Sequence, residues 1–155
     1  MDEENVIRFA GRVARKGSLI EAGGPVDAVC VTLALYGEQL DPDWVSAQLG
    51  VQPTASYRKG DPRRGAGMPD HRGGGWFLEE VGDAPATPET LTRSLLDSLA
   101  HVPHETWAMF SQHFDIQIHY ALYLYSFNRG FDMSAELSWR IAAMRARLVF
   151  DVYAG

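Results

Sequence analysis

Apolar and polar positions alternate most regularly between Asp115 and Phe127. Ile116, Ile118, Tyr120, Leu122 and Leu124 form one series, and Asp115, Gln117, His119, Ala121, Tyr123 and Tyr125 the other. A period of two predicts a strand whose first series faces a core and whose second is amphipathic. Val26–Tyr36 alternates too, but both series are apolar: Val29, Val31, Leu33 and Leu35 against Ala28, Cys30, Thr32, Ala34 and Tyr36. This pattern predicts a central strand with both faces covered. Trp76–Val81 and Leu148–Tyr153 read as two more strands, the last with Leu148, Phe150 and Val152 on one face.

Between these strands the period lengthens to that of a helix. Asp41-Pro42-Asp43 supplies a cap, a first-turn proline and a charge suited to the helix dipole, Trp44, Val45 and Leu49 give an apolar side, and Gly50 ends it. Thr87-Pro88-Glu89 opens a second helix carrying Leu91, Leu95, Leu99 and Val102, which Pro103 breaks. A short third segment spans His104 to His113 with Trp107 and Phe110. Ser134 caps a fourth helix lined by Leu137, Ile141 and Met144. At the start of the chain, Val6, Phe9, Ala10 and Val13 predict an amphipathic helix over residues 2–16, acidic at its beginning and basic at its end. Ala22-Gly-Gly-Pro25 is a break. Residues 51–75 are rich in Gly, Pro and Arg and show no period, which marks a long loop.

The order of elements predicts an α+β fold: one domain over residues 25–155, preceded by an N-terminal helical extension over 1–24. Four or five strands form a mainly antiparallel sheet with helices largely on one face, and the strands near 26–36 and 115–127 are central. A doubly wound parallel sheet is the alternative, since helices separate the strands. At 155 residues the chain is long enough to bury roughly 70% of the surface it exposes when unfolded. It therefore needs no disulfide or metal to hold a core.

Several short motifs resemble a bacterial family catalogued as domain of unknown function 4279. They are Leu40-Asp41-Pro42, Leu49-Gly50-Val51-Gln52-Pro53-Thr54, Arg58-Lys59-Gly60-Asp61, and Trp76-Phe77-Leu78 opening a strand. Met133-Ser134 at a helix start and Val149-Phe150-Asp151-Val152-Tyr153 in the closing strand fit as well. The likeness spans about residues 26–153. It implies the fold boundaries and carries over no catalytic residue.

Charge singles out one segment. The whole chain is acidic, with net charge −6, which speaks against a general nucleic-acid binder. Yet residues 57–72 carry Arg58, Lys59, Arg63, Arg64 and Arg72 against Asp61 and Asp70, a local +3 that leaves −9 elsewhere. Glycines in the same segment let a backbone approach a ligand, and guanidinium groups pair with phosphate or carboxylate. These five residues are the candidate ligand-binding set, for a small anionic ligand or an acidic protein. The bland reading is a solvated loop whose charges pair with carboxylates of its own chain.

No catalytic motif is present: no phosphate-binding loop, no dinucleotide fingerprint, no nucleophile elbow. His71-Arg72-Gly73-Gly74-Gly75 reads as a flexible hinge. His101, His104, His113, Asp115 and His119 are the residues to test for metal, but Pro103 breaks the helix that would align the first two, so no metal and no cofactor is expected. The single cysteine, Cys30, the acidic start and the absence of an apolar run long enough for a membrane suggest a soluble cytoplasmic protein. Three classes of function stay open. One is a non-enzymatic binding or accessory module using the basic loop. Another is a small enzyme with a site around Arg58, His71 and His119. The third is a homo-oligomer, such as a homodimer, using the Tyr123/Tyr125 strand face.

Overall fold

A computed structural model describes residues 12–15, 18–21, 26–83, 86–125 and 129–154. It contains a two-stranded sheet and a five-stranded sheet with four helices. The small sheet pairs Arg12–Arg15 (β1) with Ser18–Glu21 (β2), antiparallel. This corrects the helix expected over residues 2–16 at its end, and residues 2–11 lie outside the described residues. The register explains the preference. It sets Val13 opposite Ile20 and Arg12 opposite Glu21 along the backbone, and β-branched residues favour a strand over a helix.

The large sheet is built around Ala28–Gly37 (β3). Gly74–Asp83 (β5) and Asp115–Leu124 (β6) flank it, both antiparallel. Ala55–Tyr57 (β4) adds to the outside of β5, antiparallel, and Arg147–Ala154 (β7) adds to the outside of β6, parallel. The fold is α+β, with the sheet mainly antiparallel. β4 sits inside what the sequence presents as a loop. Its three residues carry no pattern of their own and are held by pairing with Gly75, Trp76 and Phe77.

Register puts one series of side chains under the helices. Leu33 lies between Leu78 and Ile118, and Leu35 between Trp76 and Ile116. Val29, Val31, Leu33 and Leu35 are buried together with Ile116, Ile118, Tyr120 and Leu122. Full burial of one such side chain contributes about 1.5–3 kcal/mol.

Pro42–Leu49 (α1), Pro88–Ser98 (α2), His104–His113 (α3) and Ala135–Ala143 (α4) give Val45 and Leu49, Leu95, Phe110, and Leu137 and Ile141 to the same core. The caps are those the sequence proposes. Asp41 Oδ1 accepts from Asp43 N at 3.0 Å, Thr87 Oγ1 from Thr90 N at 3.1 Å, and Ser134 Oγ from Leu137 N at 3.3 Å.

The opposite face of β3 is covered unevenly, although its apolar series predicts full cover: Ala34 is buried, Ala28, Cys30 and Thr32 are part-buried, and Tyr36 is exposed. Phe77 stands beside Ala34, Glu79 and His119 beside Thr32, and Tyr123 beside Ala28, so large neighbours shade the small residues between them.

Candidate functional site

The basic segment is far more ordered than its composition implies. Gly60 N donates to His71 O at 2.8 Å, and His71 N donates to Asp61 O at 2.9 Å. These two bonds close a neck, beyond which Pro62–Asp70 forms an exposed lobe. Gly60 in the neck and Gly65 and Gly67 in the lobe hold positive φ angles of 88°, 124° and 78°, which residues with a Cβ rarely adopt. Just before the neck, Tyr57 at the end of β4 stacks on the His71 ring, centroids 3.6 Å apart and planes 15° apart.

Gly75 makes room for this stack. A Cβ there would stand 2.6 Å from the Tyr57 ring, and one on Gly74 would run into the carbonyl oxygen of Leu40. Gly74 and Gly75 are thus paired strand residues, not the flexible hinge the sequence suggests. A glycine run entering a strand is itself the signal of such a close approach.

The five basic residues divide. Arg58 bonds Asp41 through Nη1 and Asp43 through Nη2, while its backbone N–H donates to Asp61 Oδ2 at 2.7 Å. Asp41 therefore caps α1 and holds Arg58 with the same oxygen. The guanidinium's hydrogen bond holds the Asp41 carboxyl below its ordinary range, and Asp41 in turn raises Arg58. Lys59 Nζ donates to Glu38 Oε1 at 2.8 Å and lowers that carboxyl too. Arg58 and Lys59 thus follow the bland reading: they fasten the loop to the β3–α1 turn.

Arg63, Arg64 and Arg72 are exposed and make no ion pair among the described residues. Arg63 and Arg72 line a recess of about 370 Å³ with Tyr36, Glu38, Tyr57 and His71, floored by Gly37, Gly73 and Gly74. Arg64 is not part of that lining. Burial raises the Tyr36 hydroxyl, helped by Tyr57 and Asp115. The recess can therefore present two guanidinium groups, a stacked aromatic pair and a phenol that stays protonated at neutral pH. Tyr36 and Glu38 were missed as site residues because only the sheet register brings them beside the loop, and Tyr57, at the loop's own start, because nothing local shows that its ring stacks on His71.

The enzyme reading has its own geometry to meet. His119 Nε2 lies 2.9 Å from Asp151 Oδ2 on the open sheet face, a pairing created by the parallel register of β6 and β7. Cys30 is on that face, one step along from Thr32, which stands opposite His119. Burial raises the Cys30 thiol, more than its contact with Thr32 lowers it, and Glu79 raises it further. A nucleophilic cysteine needs the opposite shift.

The histidines flagged for metal are dispersed. His101 Nε2 lies 2.7 Å from Leu49 O at the end of α1, and His104 starts α3. Among the described residues no group of three His, Cys, Asp or Glu side chains could hold a metal ion. No helix among them is long and apolar enough to cross a membrane. Of the tyrosines offered as an oligomer face, Tyr123 stacks on Tyr153 with centroids 4.9 Å apart, and Tyr125 is exposed.

An open α+β sheet with four helices on one face and a tethered loop at one edge is the class of protein this is. The family model described as Domain of unknown function (DUF4279) matches residues 27–155, which include β3 to β7 and all four helices, and the chain belongs to that family. Neither the curated proteins nor the solved structures gave a match.

Proposed function

We propose that this chain is a non-enzymatic binding module of the bacterial cytoplasm that holds an anionic group, carboxylate or phosphate, between Arg63 and Arg72. The observation that carries the reading is the division of labour in the loop. Arg58 and Lys59 neutralise carboxylates of their own chain, whereas Arg63 and Arg72 face a common recess without a carboxylate partner among the described residues. Guanidinium forks suit planar or tetrahedral oxyanions, and the Tyr57–His71 stack offers a flat wall to whatever carries the anion. Glu38 also lines the recess, and its bond to Lys59 offsets its repulsion. Arg64, outside the recess, adds attraction at longer range. The part-buried, unpaired Cys30 agrees with a reducing compartment.

Calorimetric titration with inorganic phosphate, and separately with an acidic peptide, tests this. Either titrant should bind, more weakly as salt screens the loop. The Arg63→Ala/Arg72→Ala variant should lose about tenfold or more in affinity while melting as the parent does. Phosphate binding alone identifies a small-molecule site, and peptide binding alone a protein-docking site. No binding of either, or unchanged binding by the variant, overturns the proposal.

A further inference from the structure

We infer that β7 is a self-association edge, through which two copies of this chain join their sheets in antiparallel fashion. β7 is the last strand of the five-stranded sheet and is paired on one side only, to β6. Its eight residues leave a row of outward N–H and C=O groups that a further strand would satisfy. Its side chains are unusually apolar for such an edge. Leu148 is 46% exposed, Phe150 48% and Val152 57%, all on the helix-bearing side of the sheet. An unguarded edge of this length is a template for pairing, and proteins that stay monomeric commonly shorten, twist or charge theirs.

The strand matches itself. Only every second residue of β7 turns its amide outward, so residues that face each other across a two-fold axis have the same parity. An axis at Phe150 sets Leu148 opposite the second copy's Val152 and Phe150 opposite itself. That series would be apolar throughout. On the other side of the sheet Arg147 stands opposite the second copy's Tyr153 and diagonal to its Asp151, within reach of a long side chain. Arg147 is 62% exposed and bonds Asp115 of its own chain at 2.8 Å, and Asp151 is 51% exposed and lies 2.9 Å from His119, so any charge pair across the axis would share groups that already have partners, and the apolar series carries the match.

The neighbouring axes are worse. One at Asp151 sets two carboxylates face to face. One at Val149 sets Val152 and Tyr153 against residues 146 and 145, outside the strand, where Arg145 has φ 56°. The self-matching apolar series is why the occupant is a second copy and not a strand of unrelated sequence. The surface lies on the opposite edge from the recess and does not depend on it.

Sedimentation of the full chain over a wide concentration range tests the inference. A monomer–dimer equilibrium is expected. Leu148→Lys/Val152→Lys, which places like charges opposite each other across the axis, should be monomeric with an unchanged circular dichroism spectrum. In a Cys30→Ala background, Phe150→Cys should oxidise to a covalent dimer, which keeps the test decisive if the lysine variant fails to fold. A parent that is monomeric at every concentration, a dimer indifferent to the lysine pair, or no cross-link through residue 150 overturns the inference.

Discussion

The two edges of the large sheet are finished in opposite ways. On one side β4 is three residues long and runs straight into a loop that Arg58 and Lys59 tie down through Asp41, Asp43 and Glu38. Beside the recess the outer backbone of β5 is taken up by β4, which covers Gly75 to Phe77, and by Thr54, whose Oγ1 accepts from Glu79 N at 2.9 Å. On the other side β7 presents eight residues, no covering loop among the described ones, and four apolar or aromatic side chains that are about half exposed. The two edge strands therefore serve different ends. The short edge positions side chains around a recess, and the long edge keeps a pairing surface. Edge length and tethering, more than composition, decide which edge can take a small ligand and which can take a chain.

Paired truncations give the largest test of this contrast. Trp76, in β5 beside β4, is fully buried and donates Nε1–H to Ser46 Oγ at 3.0 Å, so Trp76→Ala should cost about 3–5 kcal/mol by chemical denaturation. Phe150→Ala, at the other edge, removes a ring that is 48% exposed and should cost about 1–2 kcal/mol when measured on the monomer. Equal losses would mean that β7 is as enclosed as the centre of the sheet, and the contrast would fail.

A smaller effect probes the short edge alone. Gly75→Ala forces the Tyr57 ring away from a Cβ 2.6 Å distant, so it should cost about 1–3 kcal/mol and shift the His71 ring resonances as the stack opens. A stable variant with unmoved His71 signals would remove the aromatic wall from the account of the recess.

Smaller again is Tyr120→Phe beneath the long edge. The Tyr120 hydroxyl is buried, lies 2.9 Å from Thr92 Oγ1, and has its pKa raised by that burial. Thr92 keeps its bond to Pro88 O at 2.6 Å, so no buried group is orphaned and the loss should be about 0.5–1.5 kcal/mol. The ring would remain stacked on Phe150, so β7 should keep its place and its association. A loss of dimer in this variant would mean that the hydroxyl, and not the edge, controls pairing.

What could be read along the chain and what could not follow the range of the forces involved. β3 and β6 were legible because each alternates over ten residues against a core, and a one-residue slip would expose a whole series. The caps at Asp41, Thr87 and Ser134 were legible because their partners lie within three residues. β4 was not, since it has three residues and exists through its neighbour. β1 was misread because a short stretch of mixed charge and valine suits either period. At the site, the cluster of cations was visible, but not its division. The carboxylates that occupy Arg58 lie 15 and 17 residues away, and they reach it only once α1 and β4 are docked on the same sheet. The pairing of His119 with Asp151 needed the parallel register of β7, which no local pattern encodes.

The smallest expected effect concerns the tether that keeps the short edge closed. Arg58 holds the Asp41 carboxyl below its ordinary value, and Lys59 does the same to Glu38. A carboxylate whose pKa is depressed by folding stabilises the native state above its unfolded pKa, and loses that contribution as pH falls through the folded value. The melting temperature of the parent should therefore exceed that of Arg58→Ala by a small, constant amount at neutral pH. The gap should begin to close below about pH 4, where an unperturbed aspartate takes up its proton. High salt should narrow it as well, because all three partners are exposed. The Tyr57 ring resonances should follow the same course, differing between Arg58→Ala and the parent at neutral pH and converging in acid. A gap that persists undiminished in acid would show that Arg58 holds the loop by packing and not by charge. The short edge would then be closed by shape alone.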